Sequence, residues 1–118
     1  MVQKAIVDAR SEQPRDFIAK QGWVLIAFQN AIFHLFNSSS LERCLVDTIS
    51  QGGDTDANAA IVGALMGAVK GADAIPGRWR QTLLSCRPEG GNPPVAHPRP
   101  AIYWPVDGIE GAERLLEF

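Results

Sequence analysis

Asp54 and Asp56 stand one residue apart, behind the pair Gly52-Gly53 and ahead of a proline-free run of small and apolar residues. Two carboxylates held close together repel, and a shared proton or a shared divalent cation relieves the repulsion. The cation is the alternative that leads to chemistry. Inside an α-helix positions i and i+2 point to nearly opposite sides, whereas in a turn just before the first helical residue both can converge. Gly52 and Gly53 permit such a turn. The spacing predicts a helix over 59–69, with Lys70 in its last turn and Gly71 as its C-terminal cap. Asp54, Thr55 and Asp56 then lie at its N-terminus, where the partial positive charge of the helix favours carboxylates.

Two plainer motifs compete. Asp and Thr ahead of a helix are ordinary capping residues, although capping needs only one of them. Asp54, Asp56 and Asn58 also match positions one, three and five of a calcium-binding EF-hand loop. That motif fails at Ala59, where the loop needs glycine, and at Leu65, where it needs a bidentate glutamate.

The linked string GGDTDANAAIVGALMGAVKGADAIPGRW resembles the C-terminal signature of the ADP-ribosylglycohydrolase family, with its glycine pair, Asp-x-Asp, small-residue helix and Ile-Pro-x-x-Trp. Ile75, Pro76 and Trp79 supply that last element. The likeness extends upstream to Gly22-Trp23-Val24-Leu25 and downstream to Tyr103-Trp104-Pro105-Val106-Asp107, so it covers residues 20–118. The resemblance implies an all-α hydrolase, a compact helical bundle holding divalent Mg²⁺ or Mn²⁺, two ions in a complete site. It implies cleavage of the glycosidic bond between ADP-ribose and an acceptor side chain. Asp54 and Asp56 match the family's metal ligands, with Asp56 expected to bridge the ions and Asp54 to hold one of them; Gly52 and Gly53 are candidate substrate-binding positions.

The chain departs from that pattern twice. Where the family commonly has a metal-contacting Thr after the second Asp, this chain has Ala57, which removes one oxygen ligand. Family members also begin with a second acidic cluster of the Thr-Asp-Asp type, and here no two of the other acidic residues adjoin. The chain therefore reads as a C-terminal segment with about half of the metal ligands and no evident catalytic acid or base, inactive alone and completed by an N-terminal companion segment or by homo-oligomerisation. The alternative is a non-catalytic helical binding or structural module with a vestigial metal site.

Composition agrees with a folded unit. In 118 residues, 46% are hydrophobic, and a chain of this size buries roughly 60–70% of its unfolded surface. A single domain over 1–118 is expected. Eleven basic and thirteen acidic residues give a net charge of −2, with no basic stripe to suggest a nucleic-acid partner. Lys4, Asp8, Arg10, Glu12 and Arg15 interrupt the first fifteen residues, so no secretory leader is legible and a cytoplasmic location is expected. Cys44 and Cys86 are too few for a disulfide framework and read as reduced structural thiols.

The elements that must position the carboxylates follow from periodicity. Residues 23–36 are apolar almost all round, predicting a central, buried helix too short for the roughly 20 residues of a membrane span. Its surface, in so short a chain, predicts self-association. His34 within it is a core histidine rather than a ligand, and His97 a solvated loop histidine. Ser39-Ser40-Leu41-Glu42 fits a capping box opening a second helix, with Leu41, Cys44, Leu45, Thr48 and Ile49 on one stripe. Ala60, Gly63, Ala64 and Gly67 give the carboxylate-bearing helix a side that a neighbour can approach closely. Pro76 opens a further helix in which Trp79 packs with Leu83. The proline-rich 87–100 reads as an extended crossover loop. Tyr103 and Trp104 read as a hydrophobic plug, and a last helix capped by Asp107 should dock through Ile109, Ala112, Leu115 and Leu116.

Overall fold

A computed structural model describes residues 1–91 and 95–117. Among them the regular structure is helical, with six α-helices, three short 3-10 turns and no strand. Helices α1 (Val2–Asp8), α2 (Val24–Asn37), α3 (Leu41–Ser50) and α4 (Thr55–Lys70) belong to a first compact unit, Met1–Ile75; α5 (Gly77–Leu84) and α6 (Gly108–Arg114) belong to a second, Pro76–Phe118. The expected all-α class holds. No helix among the described residues is long and apolar enough to cross a membrane.

The first unit is built around α4, which packs on both α2 and α3, while α1 packs on α2. Val62 and Met66 of α4 are fully buried, joined by Ile26, Ala27 and Ala31 of α2 and by Leu41 and Cys44 of α3. Of the expected small-residue side of α4, Gly63 meets Leu45 of α3, where an added Cβ would come within 3.4 Å of its methyl. Ala60 and Ala64 face solvent instead.

Helix α2 corrects the expectation of a wholly buried apolar rod. Trp23 is its N-cap rather than its first turn, and Val24 and Phe36 are exposed. The buried face runs through Ile26, Ala27, Asn30, Ala31 and His34. Two polar side chains thus occupy the core stripe of the most apolar helix, and each can do so only because it is hydrogen-bonded.

The capping box also shifts by one residue. Ser40, not Ser39, is the N-cap of α3, its hydroxyl accepting the Arg43 N–H at 3.3 Å. Arg43 therefore takes the place where a capping box needs an acid. Helix α1 was not legible in the sequence. It buries Ala5, with Ala9 buried just beyond its end, and an ion pair between Lys4 and Asp8 at 2.6 Å lies along its surface. Residues 9–23 then cross irregularly from α1 to α2 as a strap whose buried anchor is Phe17.

In the second unit α5 buries no residue. Leu83 is exposed, so the expected Trp79–Leu83 core pair is absent, and the Arg78 guanidinium lies 5.7 Å from the Trp79 ring. In the proline-rich segment the Arg99 N–H donates to the Pro88 carbonyl at 2.9 Å, and Gly91 turns with φ +87°. Asn92, Pro93 and Pro94 of that segment lie outside the described residues. Trp104 is the plug, its Nε1–H donating to the Arg99 carbonyl at 2.8 Å, whereas Tyr103 is exposed. Ile109, Leu115 and Leu116 are exposed as well, so the stripe expected to dock is not buried, and Asp107 precedes α6 without a side-chain capping bond.

Candidate metal centre at the entrance to α4

The turn that leads into α4 is made by two consecutive left-handed residues, Gly52 at φ +76° and Gly53 at φ +71°. Such a conformation penalises any residue with a Cβ. At Gly53 space forbids one as well: a Cβ there would lie 2.7 Å from the Phe17 carbonyl carbon and closer still to its oxygen. The strap and the turn are therefore keyed together by the missing side chain. Gly52 sits behind, against Ile18.

Asp54 is the N-cap residue of α4 and Asp56 its second helical position, so one carboxylate stands outside the helix and the other inside its first turn. That placement overcomes the divergence of i and i+2 within a helix. The Asp54 side chain makes no capping bond; its carboxyl turns instead to Asp56. The hydrogen bond with Asp54 holds the Asp56 carboxyl below the usual carboxylate range, helped by the backbone N–H groups of Ala57 and of Asp56 itself. A hydrogen bond between two carboxyl groups needs a proton between them, and a divalent cation can take that proton's place. Asp54 therefore does not cap the helix, whereas Asp56 takes backbone N–H groups of the first turn, as a capping role would have it.

Gln21, Gly22, Gly53, Asp54 and Asp56 line an open concavity of about 380 Å³. Gly22, at φ +78°, brings its backbone so close that a Cβ would stand 3.8 Å from Asp54 Oδ2. This opposite wall was not singled out in the sequence, and the signal that could have found it was the glycine of Gly22-Trp23. Of the two glycines proposed for substrate, Gly53 faces the concavity and Gly52 does not. Ala57 is exposed and offers no side-chain oxygen.

Among the described residues no group of three or more His, Cys, Asp or Glu side chains converges. Asp54 and Asp56 thus fit a divalent ion as part of a ligand set. Their oxygens are hard donors suited to Mg²⁺ or Mn²⁺, and the rest of the coordination would come from water or another segment. His34 is buried in the core and Cys44 is fully buried, its thiol donating to the Leu41 carbonyl at 3.0 Å and pushed up in pKa by burial. Cys86 is exposed, and both cysteines are free thiols.

A family profile described as ADP-ribosylglycohydrolase matches residues 1–93. This chain belongs to the ADP-ribosylglycohydrolase family. The matched span starts before residue 20, so it takes in α1 and the strap, and it ends before Tyr103-Trp104-Pro105. The chain is 34% identical over 61 residues to the ADP-ribosyl-[dinitrogen reductase] glycohydrolase of Rhodospirillum rubrum, covering 52% of this chain and 21% of that protein. It is 37% identical over 68 residues to a putative ADP-ribosyl glycohydrolase, L543, of Acanthamoeba polyphaga mimivirus, covering 56% and 20%. It is 48% identical over 44 residues to human ADP-ribosylhydrolase ARH3, covering 37% and 12%. The matches thus span about a fifth or less of the length of these relatives. No solved structure matches the chain.

Proposed function

We propose that this chain supplies the Asp54–Asp56 half of a divalent-metal site in an enzyme that hydrolyses the glycosidic bond between ADP-ribose and an acceptor side chain. The supporting observation is the N-cap carboxylate that makes no capping bond of its own and is hydrogen-bonded to its neighbour, in a member of a family whose matched relatives are named as ADP-ribosyl hydrolases. When bound, Mg²⁺ or Mn²⁺ supplies Lewis-acid polarisation and a water of lowered pKa.

The chain's own residues do the positioning. Gly53, locked under Phe17, sets the direction in which Asp54 leaves the turn. The first turn of α4 presents Asp56 beside it, and the backbone N–H groups of Asp56 and Ala57 at the helix start favour the charged form of its carboxyl. Gln21 and Gly22 line the open concavity beside the carboxylates. Gly53 lines this space without a side chain and leaves room for a substrate to come close. A companion segment carrying further acidic residues completes the ligand set, in a cytoplasmic setting and with no nucleic-acid or membrane partner.

Calorimetric titration with Mn²⁺ and Mg²⁺ tests this, run beside the Asp54→Asn/Asp56→Asn double variant with its folding checked by circular dichroism. Binding by the parent chain and none by the folded variant is the expected result. No binding by the folded parent would leave a helical interaction module in which the carboxylates carry no metal.

A further inference from the structure

Five polar side chains meet inside the first unit. Asn30, His34 and Thr48 are almost completely buried, and Gln13 and Ser38 are half-buried beside them. The Gln13 amide nitrogen donates to Asn30 Oδ1 at 3.3 Å and lies 3.2 Å from His34 Nε2. Asn30 Nδ2 donates to Thr48 Oγ1 at 2.9 Å, and His34 Nδ1 lies 2.7 Å from Ser38 Oγ. An amide nitrogen is only a donor, so His34 Nε2 must accept, and the imidazole is neutral with its proton on Nδ1, given to Ser38.

Gln13 belongs to the strap. It is the strap's buried polar tie to α2, beside the more exposed bonds from Gln29 Nε2 to the Glu12 carbonyl at 3.2 Å and from Asn37 Nδ2 to the Ala9 and Arg10 carbonyls at 3.4 Å. The same strap carries Gln21 and Gly22, which line the carboxylate concavity, and Phe17, whose carbonyl keys Gly53. We propose that protonation of His34 releases the 9–22 strap from α2 and so opens the Gln21–Gly22 side of the Asp54–Asp56 concavity under acidic conditions. A proton on Nε2 would put two donors, imidazolium and amide, face to face. Turning over the amides of Gln13 and Asn30 would repair the hydrogen bonds but leave a cation buried, which is costly. Lifting the half-buried Gln13 away repairs both at once, because water reaches the ring.

Few charges oppose this. Asp47 of α3 favours the cation but lies 3.7 Å from Arg43. On α1, Lys4 pairs with Asp8, and on the strap Arg15 pairs with Glu12 at 3.2 Å. Helix α4 brings Asn58, Val62 and Met66 as its buried residues, and none of them titrates. Burial lowers the pKa of the imidazole, the direction that the neutral, accepting ring requires.

Amide hydrogen exchange followed by mass spectrometry on the whole chain, at about pH 7.5 and about pH 5 after correction for intrinsic rates, tests the proposal. Protection over 9–22 should fall on acidification by about tenfold for each pH unit separating the closed and released imidazole, while α3 and α4 stay protected. Two variants locate the trigger. In His34→Gln the strap should keep one protection level at both pH values. In Gln13→Glu, which gives the imidazolium a countercharge, acid should tighten the strap rather than loosen it. Unchanged strap protection in the parent, simultaneous loss over the whole unit, or an acid response that survives Gln13→Glu would each overturn the proposal. Neither metal nor substrate enters the readout, so it stands or falls apart from the metal-site assignment, on which its meaning for catalysis rests.

Discussion

The first unit holds two polar clusters built on opposite terms. Around His34 the polar atoms are buried and every one finds a partner in the protein; no buried side-chain nitrogen or oxygen among the described residues lacks one. At Asp54 and Asp56 two carboxyls stand in the open with mainly each other for company, at a helix end that one of them would ordinarily cap. A satisfied polar cluster in a core fixes the geometry of what surrounds it. An exposed, converging pair at the surface is available to a ligand. The difference assigns positioning to the first and chemistry to the second, and the strap joins them.

Substitutions at the two clusters should separate these roles. The largest effect is expected at their junction: Gly53→Ala combines a left-handed backbone with collision against Phe17, and should cost about 3 kcal/mol or more in denaturant unfolding. Asn30→Ala follows, since it removes the partner of the buried Thr48 hydroxyl and one of the two partners of the Gln13 amide nitrogen, and leaves a cavity; a loss of about 2 kcal/mol is expected by the same measurement. A loss close to zero there would mean the inner cluster positions nothing.

Acid should act on the inner cluster in a defined direction. Burial holds the His34 pKa below its ordinary 6.5, so between that value and the folded-state value the unfolded chain binds the proton and the folded chain does not. Stability is therefore full above pH 6.5 and falls as pH drops through it, by about 1.4 kcal/mol per pH unit until the folded imidazole is protonated too. Thermal unfolding across this range checks the sign, and a His34→Gln chain should lose that dependence. Ser40→Ala removes one long capping bond of 3.3 Å and should cost about 0.5–1 kcal/mol. Smallest of all, Asp54→Asn with Asp56→Asn should leave the melting temperature where it was while abolishing Mn²⁺ binding. A large drop in melting temperature would turn the outer pair into a structural feature and erase the contrast.

How much of this the sequence disclosed depends on distance along the chain. Helices α2, α3, α4 and α5 were legible because their signals are local: Gly71 beyond Lys70, Pro76 before its helix, a serine before Leu41. The Asp54–Asp56 pair was legible for the same reason, being two residues and a glycine turn. Helix α1 was missed because its charged positions interrupt a short apolar pattern of which only Ala5 is buried within the helix. The buried stripe of α2 could not be read from hydropathy, which favours Val24 and Phe36 over Asn30 and His34. Those polar residues are inside because Gln13 and Thr48, far along the chain on either side, satisfy them. Gln21 and Gly22 reach Asp54 only through the fold, as Phe17 reaches Gly53. The second unit shows the reverse failure, with Trp79 and Leu83 at core spacing and no core for them among the described residues.

The keying of Gly53 beneath the Phe17 carbonyl also bears on inheritance. Any change in the first or second base of a glycine codon adds at least a Cβ or ends translation, so nearly every missense route away from this position meets the same wall of backbone. The exposed alanines of α4, a few residues on, face no such filter. A library of random variants selected only for folding should therefore drift freely at Ala60 and Ala64 and return glycine at 53, with no metal, substrate or activity needed to enforce the choice.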